Sequence, residues 1–116
     1  MIGTPHWPIS TSVFNSTQLF LKHIIELNPK YAEAYSNRGV AKIGKGDLDG
    51  ALADYNRAIK VNPKFVESYI NRGIVKDKVG NTNGSNVDFE KAIELNPRAR
   101  KMIEALGYSV GGTSSK

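Results

Sequence analysis

The sequence predicts an all-α fold, a superhelix of tandem antiparallel helix pairs, and three observations carry that prediction. First, Tyr35-Ser36-Asn37-Arg38-Gly39 returns 34 residues later as Tyr69-Ile70-Asn71-Arg72-Gly73. Second, Pro29, Pro63 and Pro97 lie on the same spacing, each preceded by an asparagine (Asn28, Asn62, Asn96). Gly46 and Gly80, Asp54 and Asp88, and Ala58 and Ala92 keep it too. Third, between these marks apolar residues recur every three or four positions, the period of a helix buried along one face. A repeat of a few tens of residues marks a stacked array, because each unit alone cannot bury its apolar face.

Residues 1–14 read as an irregular lead-in, since Pro5 and Pro8 among hydroxyl residues show neither helical nor strand period. Trp7 is expected to fold back over an apolar surface. A first helix is expected from about Asn15 to Asn28, with Asn15 or Ser16 as its N-cap and Phe14, Leu19, Phe20, Leu21, Ile24, Ile25 and Leu27 along its stripe. Pro29 stops it, because the residue before proline is pushed from helical dihedrals.

Residues 31–44 form a second helix. The turn Gly44-Lys45-Gly46 follows, with glycines to accept a positive φ. Asp47 then caps a third helix, 48–61, whose Leu48, Ala51, Leu52, Tyr55, Ala58 and Ile59 make a buried stripe. The next unit repeats the plan, with a helix from about Phe65 to Lys78, a turn at Gly80 and a helix closing at Leu95. Thr82, Ser85 and Asn86 stand there for Leu48, Ala51 and Leu52. Such side chains compete for backbone hydrogen bonds, so a late start near Ser85 and weaker packing are expected. Past Pro97, a capping helix at about 98–107 carries Met102, Ile103 and Leu106, and residues 108–116 read as a flexible tail. Two full repeats, about 32–65 and 66–99, thus sit inside a helical domain at 15–107.

Composition narrows the function. The chain has 116 residues, 40% hydrophobic and 23% charged, with a formal charge of +5. That charge is spread as +1 over residues 1–31, +2 over 32–65, zero over 66–99 and +2 over 100–116. Interleaved signs argue for a solvated mixed surface and against a nucleic-acid stripe. Cysteine is absent, which removes disulfides, thiolate metal sites and thiol nucleophiles. His6 lies in the irregular lead-in, His23 has no partner carboxylate at ligand spacing and Glu26, three residues on, reads as a solvated neighbour. No serine sits in a nucleophile elbow, and Gly44-Lys45-Gly46-Asp47 lacks the spacing of a phosphate loop. The chain is therefore read as non-enzymatic, with no catalytic residue, metal or cofactor. No apolar run spans a membrane, and the N-terminus lacks a signal-peptide pattern, so a cytoplasmic location is expected.

The spacing of Ala34–Tyr35, Gly39, Ala51, Tyr55, Ala58 and Pro63 resembles the tetratricopeptide repeat. Tyr69, Gly73, Ser85, Phe89, Ala92 and Pro97 repeat it, and the Asn-Arg-Gly form at 37–39 and 71–73 is similar to a bacterial variant. Thr17, Leu21, Ile24 and Pro29 match the second helix of a preceding repeat whose first helix is missing. The resemblance implies a non-catalytic protein-interaction module. It also implies where a ligand lies: the first helices line a groove, with Glu33, Ser36, Asn37, Val40 and Ile43 from one unit and Glu67, Ile70, Asn71, Ile74 and Asp77 from the next. A peptide or helix held there would bond to Asn37 and Asn71. The family's clamp for a terminal carboxylate is matched only by Asn71 and Lys101, since Ser36, Val40 and Ala105 occupy its other positions, so chaperone-tail binding is not expected.

Two further readings stay open in the sequence. Arg38, Lys42, Arg72 and Lys76 form a possible anion ladder; alternatively Arg38 and Arg72 pair with Asp54 and Asp88 while the lysine stems cover apolar surface and their ammonium groups reach water. The unpaired N-terminal helix, with Trp7, Phe14, Phe20, Leu21 and Ile24, is a possible face for a homodimer.

Overall fold

Residues 9–110 are described by the computed structural model, with side chains from Ser16 onward. Within them run α1 (Ile9–Leu27), α2 (Ala32–Gly44), α3 (Leu48–Val61), α4 (Val66–Lys78), α5 (Thr82–Leu95) and α6 (Ala99–Ala105). The described residues contain no strand. Two expected boundaries move. α1 begins at Ile9, so Asn15 and Ser16 lie inside a helix and cap nothing. Nothing between Ile9 and Leu27 is proline or glycine, and hydroxyl residues cost a helix interior only a few tenths of a kcal/mol each, about 0.5. α5 begins at Thr82 rather than near Ser85, because Asn81 caps it: its Oδ1 accepts from the Gly84 N–H at 2.9 Å. Asp47 caps α3 in the same way through Gly50. Thr82 and Asn83 fall among the first amides of α5, which have no helical partner to lose, and from Ser85 onward the helical bonds are made, the Ser85 N–H donating to the Asn81 carbonyl at 3.0 Å.

The asparagine before each proline has a job that spacing alone leaves unexplained. Asn28, Asn62 and Asn96 each accept, through Oδ1, from the N–H two residues on (Lys30, Lys64, Arg98) at 3.3, 3.1 and 3.0 Å. These Asx turns fix the direction in which the next helix leaves. Gly46 and Gly80 close the hairpins with φ of 85° and 91°.

α2 pairs with α3 and α4 with α5, while α1 packs on α2 as α3 packs on α4. α2 also meets α4, and α4 meets α6. The result is two layers, with α2, α4 and α6 on one side and α1, α3 and α5 on the other. Within each hairpin an aromatic ring lies on a glycine. A Cβ at Gly39 would stand 2.7 Å from the Tyr55 ring, and one at Gly73 2.7 Å from the Phe89 ring. Ala51, Ala58 and Ala92 are fully buried, Ala51 in a cluster with Tyr55 and Val75, Ala58 with Ala32 and Tyr35, and Ala92 with Tyr69 and Phe89.

Tyr55 and Phe89 hold one position in the two units, and only the first carries a hydroxyl. That hydroxyl is buried with no hydrogen-bond partner among the described residues. Burial, then the charges of Asp54 and Glu67, push it well above the ordinary phenol range. A stranded hydroxyl costs about 1–3 kcal/mol. Tyr55→Phe is therefore expected to raise stability by about 1 kcal/mol, read from the urea midpoint. The folded chain holds the phenol proton more tightly, so the stability this group gives is whole below the ordinary pKa of about 10 and fades as pH climbs past it. The advantage of Y55F should widen over that alkaline range.

The C-terminal end differs from the tail expected at 108–116. α6 keeps the repeat register, with Ile103 fully buried at the place of Tyr69. Gly107 then falls where Gly39 and Gly73 stand, takes φ 96°, and ends the helix. Tyr108 packs its ring 5.4 Å from that of Phe89, and Val110 is buried in the same cluster. The strap at 108–110 is thus part of the core, since Phe89 would otherwise lie open. Residues 111–116 lie outside the described part.

Among the described residues no helix is long and apolar enough to cross a membrane, and no cluster of histidine and carboxylates suits a metal.

Candidate functional site

The charged side chains of the inner helices settle first, because they decide what remains free. Asp54 and Asp88 are almost fully buried. Arg38 donates to Asp54 through Nε at 2.9 Å and Nη2 at 2.7 Å, and Arg72 to Asp88 at 2.8 and 2.7 Å. Bidentate pairing of this kind fixes geometry as well as charge. The lysines join the same carboxylates, Lys42 at 3.1 Å and Lys76 at 3.2 Å. Their ammonium groups thus turn inward, against the expectation that they reach water; a single buried carboxylate between two cations draws both. Hydrogen bonding to the aspartate raises both arginine pKa values, with desolvation opposing it. Each guanidinium also lies 5.8 Å from a tyrosine ring centre, Tyr35 or Tyr69. Arg72 adds a bond across units, from Nη1 to Asn56 Oδ1 at 2.9 Å. Each rung is left with a net charge of +1, and its cations are committed to the fold.

The groove residues divide. Ser36 and Ile70 share one repeat position and are buried, 1% and 4% exposed, so they are corrected from groove floor to core. The inner helices touch one another directly and cover that position; Ile70 lies in the cluster with Phe89, Ala99 and Ile103. Glu33, Asn37, Val40, Glu67 and Lys101 are exposed, and Ile43, Asn71, Ile74 and Asp77 are half-buried. What remains open is a ribbon in matched register: Asn37 with Asn71, Val40 with Ile74, and Glu33, Glu67 and Lys101 at one repeat position.

At the other end, Trp7 lies outside the described residues, as does the side chain of Phe14. Leu21 is buried at 7% exposure, so it belongs to the packing of α1 on α2 and not to an open face. Ile24 is half-buried and Phe20 is 65% exposed. Leu19 at 65% and Leu27 at 79% were missed as part of that exposed face. Their spacing of eight residues, two helical turns and a little more, was the available signal.

The two repeat units match models of the tetratricopeptide repeat, at residues 32–65 and 66–98. No curated protein gives a match. Among solved structures, MamA is similar at 27% identity over 85% of this chain, with a TM-score of 0.71; the chain spans 62% of its length. The TPR2B domain of yeast Sti1, solved as a complex with pHsp70, is 23% identical over 84% of this chain and 82% of its own, with a TM-score of 0.76. The first TPR of Spaghetti (RPAP3), bound to the HSP90 peptide SRMEEVD, is 20% identical over 86% and 85%, with a TM-score of 0.71. At these identities the last two show the fold alone.

Proposed function

The chain belongs to the tetratricopeptide repeat family, a family of protein-interaction modules, and from that premise we propose that a segment of a partner protein lies across α2 and α4, bonded by Asn37 and Asn71. One observation carries this reading: the two amides and the apolar pair Val40 and Ile74 recur in register on helices that touch. Packed helices lie about 8–10 Å apart. Three residues of extended chain span about the same distance, at roughly 3.3 Å each. A peptide crossing the helices would thus meet an amide and an apolar shelf at every third residue. Its backbone supplies the bonding groups, so an internal segment suffices. Ser36, Val40 and Ala105 offer no cation to a terminal carboxylate, which argues against chain-end recognition.

Panning a displayed library of short peptides on the chain tests the proposal. Enriched peptides are expected to lose about tenfold or more in affinity for the Asn37→Ala, Asn71→Ala double variant, on the scale of two hydrogen bonds at about 1 kcal/mol each. Thermal unfolding should stay unchanged. Equal binding to the double variant, or no enrichment at all, overturns it.

A second reading rests on a separate observation, the exposure of Leu19, Phe20 and Leu27 on α1. We propose that two copies pair through this helix. Light scattering is expected to give twice the chain mass at high micromolar concentration, falling to the monomer with Phe20→Lys; monomer mass in the parent chain rejects the pairing. Nucleic-acid binding has less support, since the ladder cations are already paired with Asp54 and Asp88.

A further inference from the structure

The first unit accepts the next one through an apolar seat. Ile43, Leu48, Ala51, Leu52 and Tyr55 pack around Val75, which α4 inserts there. Moved by one repeat, those positions become Asp77, Thr82, Ser85, Asn86 and Phe89, and Val75 becomes Ser109. All six of these residues line a single cavity of 270 Å³, closed on one side by Tyr108. The stacking seat has been kept in shape and changed in chemistry.

We propose that this cavity is a binding site for an alkylammonium group. Asp77 supplies a half-buried carboxylate that makes no ion pair among the described residues. Thr82, Ser85, Asn86 and Ser109 also line the cavity, and residues of these types carry neutral oxygens, the acceptors that an ammonium with its three donors requires. Phe89 and Tyr108, tilted at 51° to each other, form an aromatic wall for the methylene stem. A charged carboxylate contact held by several oxygens favours a cation over a neutral alcohol of the same size. α5 begins at Thr82, and its positive end favours anions, so phosphate is the competing ligand that the test must include.

The site shares Asp77 with the groove but does not rest on peptide capture, because small amines probe it alone. Amide shifts of the intact chain are followed by NMR during titration with 1,4-diaminobutane, with Nα-acetyl-lysine amide, and with inorganic phosphate. The amides of Thr82, Asn86, Tyr108 and Ser109 are expected to shift together with an amine dissociation constant on the order of 1 mM. A tighter diamine points to a free polyamine, and a tighter lysine amide to a partner's lysine side chain. Asp77→Asn should weaken amine binding about tenfold, the loss of one charge-assisted contact. Asn86→Leu, which restores the residue of the first unit, should narrow the cavity, remove one of its oxygens and weaken binding while raising stability. Asp49→Asn, at an exposed acid elsewhere, should change nothing. Amine affinity unchanged in D77N or in N86L, shifts with phosphate in place of amines, or none with either amine overturn the proposal.

Discussion

Asp88→Ala is expected to destabilise the chain by about 3 kcal/mol or more, seen as a fall in the urea midpoint of the helical signal. The carboxylate is nearly inaccessible and holds two cations, Arg72 at 2.7 Å and Lys76 at 3.2 Å. Its removal leaves like charges side by side in a partly dry site. The cost comes chiefly from the stranded cations, and this makes a second result predictable. The triple replacement Asp88→Leu, Arg72→Met, Lys76→Met should recover most of the loss, because apolar residues of similar volume often serve as well as a buried charge cluster. A triple variant as unstable as the single one would show that the charges themselves hold the hairpin. Asp54→Ala should cost less, since Arg38 has no counterpart of the bond from Arg72 to Asn56 that ties two units together. The sign of the arginine shifts adds a constraint. Their pKa values are raised, so the stability they give is whole below the ordinary arginine value and fades only above it. Through neutral pH this contribution should be flat.

Gly73→Ala is the second large effect, a net loss of about 2 kcal/mol despite the better helix propensity of alanine. The new Cβ would stand 2.7 Å from Phe89 Cε1 and 3.2 Å from the Ser85 carbonyl oxygen. A ring can swing away, but a helix carbonyl cannot move without its neighbours. At Gly39 the three nearest atoms all belong to the Tyr55 ring. Gly39→Ala should therefore be relieved by Tyr55→Leu, whereas Gly73→Ala should be relieved much less by Phe89→Leu. Chemical denaturation of the four single and two double variants measures both couplings. Equal relief at the two sites would mean that only the rings matter.

The repeat makes much of this molecule legible in its sequence. A strict 34-residue spacing of glycine, alanine, aromatic and asparagine-proline positions dictates the hairpins, because each residue type answers a local demand that recurs with the unit. The pairing of Arg38 with Asp54 and Arg72 with Asp88 was visible in the same way, as equal separations on facing helices. The start of α1 was misread because polar residues resemble a cap when nothing else marks the boundary. The start of α5 was misread because Asn81 is a better cap than the residues after it.

Sequence alone thus determined the helix count of each unit and the order of the hairpins, both consequences of local chemistry repeated at fixed spacing, while the contact of each glycine with an aromatic ring belongs to the tertiary structure. Tertiary structure alone decided which face of an inner helix stays open. Ser36 and Ile70 look like groove residues on an isolated helix and become core once a neighbouring helix lies against them. It also decided the fate of the third glycine. Gly107 has the register of Gly39 and Gly73, but no helix among the described residues packs on it, and there the chain takes a positive φ and folds Tyr108 back over Phe89. The same residue at the same spacing gives a helix or a turn according to what stands beside it, and neighbours from distant parts of the chain are not written in any local pattern.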